Sequence, residues 1–258
     1  MKLPKAIAVG LCMSITGLAA SASAYASSDK PVTLRVISSM ATRQVLSELV
    51  VPFEKQSGYR IELESVGGVN AAKRIEAGEN FDVVILASGA IDTLIASGKV
   101  VPDSKTCLVK SGVAIAVREG ATRMDIGSEE AVKQAVLSAK TVGYSTGPSG
   151  VYLFELFQRW GIADQIKDRI VQAPAGVPVG ALVAKGEVEL GFQQLSELLH
   201  QEGITVLGPL PADIQTVTRF CAGITVKSAQ REAVQALLDY LTSPETNEVK
   251  IKNGMDPI

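Results

Sequence analysis

The sequence predicts an α/β protein built as two lobes, and three observations carry that expectation. Strand-like and helix-like patterns alternate along most of the chain, as parallel sheets joined by crossover helices require. Phe81–Leu86 is a near-continuous apolar run, the pattern of a strand buried on both faces. Two long β-rich segments, Thr106–Val117 and Thr216–Val226, break the alternation and flank a middle section. A chain that crosses between lobes once on the way out and once on the way back would look like this.

The elements are expected in the following order. A strand over Val32–Ile37 leads to a helix over Ala41–Gln56 that stops at Gly58. A strand over Tyr59–Glu64 leads to a helix over Val69–Ala77 stopped by Gly78, and Phe81–Leu86 leads to a helix over Ile91–Ser97. In the middle section, helices are expected at Glu129–Ser138, Ser149–Trp160 and Val177–Lys185. Strands are expected at Thr141–Tyr144, near Ile170, and at Val188–Phe192. Helices over Ala229–Thr242 and Pro244–Lys252 close the chain. The division that follows is residues 27–108 with 226–258 in one lobe and 109–225 in the other.

Residues 1–26 read as a cleaved export signal. Lys2 and Lys5 precede an apolar stretch over Ala6–Leu18, and small residues follow up to a cut after Ala26. That stretch is shorter than the roughly 20 apolar residues a bilayer span needs. The expected location is therefore the periplasm, and the mature chain is not expected to span a membrane.

Composition narrows the function classes. Setting aside Lys2 and Lys5 from the 25 basic residues, against 27 acidic ones, leaves a net charge near −4. No basic cluster stands out, so nucleic acid is not an expected partner. His200 is the single histidine, and its place before Gly203 suits a helix end. Cys107 and Cys221 lack metal-ligand spacing, and no metal site is expected. Two buried free thiols are the preferred reading of them, with a disulfide as the alternative. The glycines form neither a P-loop nor a dinucleotide fingerprint, so no cofactor is expected.

Chemistry is expected where strands end and helices begin, because helix N-termini offer free N–H groups and a partial positive charge. Four such loops stand out: Ser38–Arg43, Ser65–Asn70, Ser145–Tyr152 and Gly176–Gly180. Any one of them is ordinary capping and turn chemistry. Together, without a metal, they suit a small anionic ligand, with Arg43 and Lys73 as candidate cations.

The chain resembles the periplasmic molybdate-binding protein family over essentially its whole mature length. The carriers are Phe53–Gly58 (FEKQSG), Ala72–Gly78 (AKRIEAG) leading into Phe81–Leu86 (FDVVIL), Pro148–Tyr152 (PSGVY), and Gly180–Val183 (GALV) leading to Val188–Phe192 (VELGF). The resemblance implies a type II periplasmic solute-binding fold, two α/β lobes on a two-strand hinge, with an anion in the cleft. It also implies a ligand set, and this chain departs from it. Ala41 and Gly68 stand where the family places serine hydroxyls. The backbone-donor positions fall on Ser149 and on Pro178, which has no N–H to give. Gln194 stands where the family has a tyrosine.

These departures point away from molybdate and toward a roomier, amide-rich pocket for an organic polycarboxylate. Its expected ligand positions are Ser38, Ser39, Ala41, Arg43, Gly68, Asn70, Ser149, Pro178, Gln193 and Gln194. The wider family includes a periplasmic aconitate isomerase, whose allylic proton shift between trans- and cis-aconitate needs a positioned base. Lys73, Tyr144, Tyr152 and Ser39 are the candidates, and the sequence does not choose among them. The alternative function is the substrate-binding component of an ABC transporter for molybdate or another small anion, with an inner-membrane permease as its partner.

Overall fold

The structure is a computed structural model that describes residues 31–258, so the expected export signal lies outside the described residues. The described chain forms one compact unit. It is built on a continuous path of strands that bends from one sheet into another.

The first sheet starts with β1 (Thr33–Ser39), which pairs in parallel with β2 (Arg60–Val66) on one side and β3 (Val83–Ala87) on the other. Each strand feeds a helix: α1 (Arg43–Ser57), α2 (Gly68–Glu76) and α3 (Ser88–Ala96). Gly58 ends α1 because its φ of 76° lets its N–H turn back to the Glu54 carbonyl at 3.0 Å. A residue with a Cβ would meet a steric penalty there. Val83, Val84, Ile85 and Leu86 are all buried, as the apolar run required.

β4 (Thr106–Arg118) carries the chain onward. Its first half lies antiparallel to β9 (Val217–Ile224), down to the pair Gly112–Val217. From Val113 it pairs instead with β7 (Leu190–Gln194) and β8 (Ile204–Pro209), both antiparallel. β9 is hydrogen-bonded along its length to β3 and β4, and so belongs to the first sheet, although the sequence division puts those residues in the middle segment. Parallel pairing holds among β1–β3, and again among β5 (Val142–Tyr144), β6 (Ile170–Gln172) and β7. The strands at the junction are antiparallel because the chain leaves by one and returns by the other. The Gln215 side chain clamps this junction: its Oε1 accepts from Val113 N–H at 2.9 Å, and its Nε2 donates to the Val113 carbonyl at 3.0 Å.

Helices α4 (Glu129–Ser138), α5 (Pro148–Arg159), α6 (Ala163–Ile166), α7 (Val179–Lys185) and α8 (Leu195–Leu198) cover the second sheet. Its core gathers Phe157, Phe192, Leu153 and Ile115, all essentially buried. Truncating Phe157 to alanine would cost about 3–5 kcal/mol at such a site. α9 (Arg231–Thr242) and α10 (Asn247–Lys252) return to the first sheet, where Leu237 and Leu238 pack with Leu34 and Val36, and β10 (Asp256–Pro257) pairs with β4. Sequence periodicity missed α6, α8, β8 and β10, all short.

The preference for free thiols is corrected. Cys107 and Cys221 face each other in the β4–β9 register and are joined as a disulfide. The register, which no sequence spacing reveals, is what brings them together.

Candidate functional site

A cavity of about 830 Å³ opens where the helix-bearing ends of both sheets meet. That is a volume suited to a small organic ligand. From the first sheet come Ser39, Ala41, the Gly67–Gly68 opening of α2 and the Ser88–Ala90 opening of α3. From the second come the Ser145–Ser149 loop into α5, then Pro178, Gln193, Gln194 and Glu197.

The local sequence explains these openings. β1 runs into Ser39 and then a short 3₁₀ turn, Met40–Thr42. The Ser39 Oγ is buried and has no hydrogen-bond partner among the described residues. A buried hydroxyl left unpaired is costly, so a ligand oxygen there would be favoured. At the starts of α2 and α3 the first N–H groups have no acceptor within the helix. Gly68 leaves a gap there: a Cβ on it would meet only the Ser39 Cβ, at 3.6 Å, and a Leu86 methyl, at 3.9 Å. Across the cavity, Gly150 lets α5 start hard against its own loop, for a Cβ there would fall 1.7 Å from the Ser145 carbonyl oxygen.

The rim is narrow at one point. A Cβ on Gly67 would lie 2.8 Å from the backbone nitrogen of Gly176, so the two loops meet backbone to backbone across the opening.

The polar end of the site is organised around Gln193 and Glu197. Gln193 Oε1 accepts the N–H of Val179 at 2.8 Å, which occupies the first free donor of α7. Its Nε2 then donates to Glu197 Oε1 at 2.8 Å. Burial pushes the Glu197 carboxyl up to about 7, and the Gln193 amide offsets only part of that rise. Glu197 also borders a second, smaller pocket of about 220 Å³ that contains Arg43, Ser196 and His200. The other charged side chains around the main cavity, Lys73, Glu76, Glu155 and Arg219, are exposed. Gln194 sits at the junction of the sheets. With its amide oxygen accepting from Thr218 Oγ1 at 2.8 Å, its nitrogen donates to the Ser111 carbonyl at 2.9 Å.

Residues 34–256 match the bacterial extracellular solute-binding protein family. The chain belongs to that family. Among its relatives, an aconitate isomerase of Pseudomonas sp is 38% identical over 236 residues, covering 89% of this chain and 90% of that protein. The molybdate-binding protein of Azotobacter vinelandii is 26% identical over 210 residues, covering 79% and 82%. The solved periplasmic molybdate-binding protein of Azotobacter vinelandii superposes with a TM-score of 0.71 at 20% identity, covering 86% of this chain and 98% of that one. The type II solute-binding architecture expected from the sequence is therefore the architecture observed.

Of the expected positions, Ser39, Ala41, Gly68, Lys73, Ser149, Tyr152, Pro178, Gln193 and Gln194 border the main cavity. Four others do not. Ser38 alternates to the opposite face of β1, where its Oγ lies 2.8 Å from Ser65 Oγ. Asn70 is exposed on α2 and away from the cavity lining. Arg43 reaches only the smaller pocket, because the 3₁₀ turn places it one step past the cavity. Tyr144 is buried against Phe157 in the core, and that burial pushes its phenol up. Tyr152 borders the cavity, but its hydroxyl donates to the Ile214 carbonyl at 2.7 Å. Glu197 and Arg219 also line the cavity, and the sequence reading did not single them out. No periodic signal pointed to Glu197, because Gln193 and Gln194 end strand β7 and the helix that carries Glu197 has only four residues.

Proposed function

We propose that the protein is an exported isomerase of small tricarboxylates that interconverts trans- and cis-aconitate in the periplasm. The observation that carries this reading is the 38% identity to an aconitate isomerase, spread over 89% of the chain. The cavity supports it. Helix openings at Gly68 and Ser88, the unpaired Ser39 hydroxyl and the Arg219 side chain offer several separate sites for carboxylates. The reaction asks for no cofactor, only a base that removes one allylic proton and an acid that delivers one two carbons away.

A second reading, an anion receptor delivering its ligand to an inner-membrane ABC permease, draws on the family and on the 26% identity to a molybdate-binding protein. No helix among the described residues is long and apolar enough to cross a membrane. Against molybdate stand Ala41, Gly68 and Pro178 and a cavity many times the size of a tetrahedral oxyanion. Purified protein mixed with trans-aconitate and followed by NMR tests the first reading, with cis-aconitate expected. No conversion, together with a thermal shift on adding molybdate, would favour the receptor.

A further inference from the structure

We propose that Glu197 is the acid–base residue of this site, taking a proton from the substrate's methylene carbon and returning it to the far carbon of the same allylic unit. The proposal rests on the isomerase reading above and names the group that would do its chemistry.

Three observations place it there. Glu197 is one of the residues that line the main cavity, the space a substrate would fill. Its orientation is fixed from behind: Gln193 donates to Oε1, and Gln193 is itself held by the Val179 N–H. Oε2 has no hydrogen-bond partner among the described residues, which leaves one oxygen for the substrate. Glu76 and Glu155, the other carboxylates of the cavity, are exposed side chains without a comparable support. Tyr152 spends its hydroxyl proton on the Ile214 carbonyl, and Tyr144 lies in the core. Burial also holds the Glu197 carboxyl near neutrality, which suits a group that must both accept and give a proton.

The step balances without an outside reagent. Glu197 as carboxylate removes the methylene proton, and the C–H electron pair forms the new C=C bond. The old π pair moves to the far carbon, where the adjacent carboxylate shares the charge. Glu197, now protonated, delivers its proton to that carbon. The new double bond is the former methylene single bond, so the rotamer in which the site holds that bond when the proton leaves sets the cis or trans geometry of the product. Glu197 also lines the smaller pocket, together with His200 and Arg43.

The test uses the full mature protein and trans-aconitate. Glu197→Gln keeps the shape and the contact with Gln193 but cannot take a proton. Its conversion to cis-aconitate, read by NMR, is expected to fall by about 10²–10⁴-fold, while the thermal shift caused by trans-aconitate persists. Turnover within threefold of the parent, or loss of the ligand-induced shift along with turnover, would overturn the assignment and leave the isomerase reading standing. If the parent protein itself converts nothing, the isomerase reading falls and this proposal with it. Glu197→Asp guards against a folding failure of the first variant. It is expected to keep ligand binding and lose at least tenfold in rate, and parent-like turnover in it would count against Glu197.

Discussion

The two walls of the cavity are made from the same device, a strand running into a helix, yet they differ in chemistry. The wall from the first sheet is small and hydroxylated: Ser39, Ala41 and Gly68 leave room and present unpaired donors. The wall from the second sheet is crowded and carries the group that titrates, with Gln193 and Glu197 locked into one hydrogen-bonded chain and Gly150 jammed against the Ser145 carbonyl. Under the isomerase reading one wall would hold the substrate and the other would react with it, and substitutions at matched positions can break that comparison.

The largest effect is expected at Gly150. A methyl there would sit 1.7 Å from a backbone oxygen that cannot swing away, so the start of α5 must shift. Gly150→Ala should cost about 1–3 kcal/mol, as overpacking typically does, and urea denaturation would measure it. A next smaller effect is expected at the rim. Gly67→Ala puts a methyl 2.8 Å from the Gly176 nitrogen and so props the loops apart. Ligand affinity by calorimetry should fall, on the order of tenfold or 1.4 kcal/mol, with little loss of stability in the unliganded protein. A loss of unliganded stability as large as that of Gly150→Ala would mean the rim contact is part of the core and not a gate.

The wall from the second sheet also makes a pH prediction. The folded Glu197 carboxyl titrates near 7 against an ordinary 4.5, so between those values the folded chain holds a proton that the unfolded chain has released. The stability this group contributes is full below 4.5 and is lost as the pH rises through 7. Glutamine does not titrate. Glu197→Gln should therefore raise the melting temperature relative to the parent at pH 8, and the gain should shrink toward pH 5. An equal difference at both values would show that the carboxyl is not perturbed. The ionisable side chains that line the two pockets with it, Arg43 and His200 in the smaller one and Lys73, Glu76, Glu155 and Arg219 in the main one, remain in both proteins.

What the sequence made legible follows from where its signals are local. The apolar run Phe81–Leu86 and the glycine stop at Gly58 are short-range features, and β3 and the end of α1 lie where they point. Ser39, Gly68, Ser149 and Pro178 line the cavity, and their place could be read because a strand-to-helix loop announces itself in a few residues. Arg43 lies outside the lining of the main cavity because the 3₁₀ turn at Met40–Thr42 shifts the phase in which the first helix begins, and Asn70 lies outside it on the exposed side of α2. Glu197 stayed hidden in a four-residue helix too short to show periodicity, and its perturbed carboxyl depends on burial created by distant chain. The Cys107–Cys221 bond depends on the register of two strands 114 residues apart.

The smallest effect is expected at Gly68, the counterpart of Gly150 on the wall from the first sheet. Both glycines lie in the first turn of a cavity-facing helix, yet a Cβ on Gly68 meets only ordinary van der Waals neighbours at 3.6 and 3.9 Å. Gly68 is also α-helical, so alanine there loses less backbone freedom on folding than glycine does. Gly68→Ala should leave stability within about 0.5 kcal/mol of the parent or raise it slightly, measured by the same urea titration as Gly150→Ala. Gly68→Ser adds a hydroxyl beside the unpaired Ser39 Oγ, and a thermal-shift panel would show whether the response moves from tricarboxylates toward oxyanions. A destabilisation at Gly68 matching that at Gly150 would erase the contrast between the walls, because both would then be packed to the limit and neither would have room reserved for a ligand.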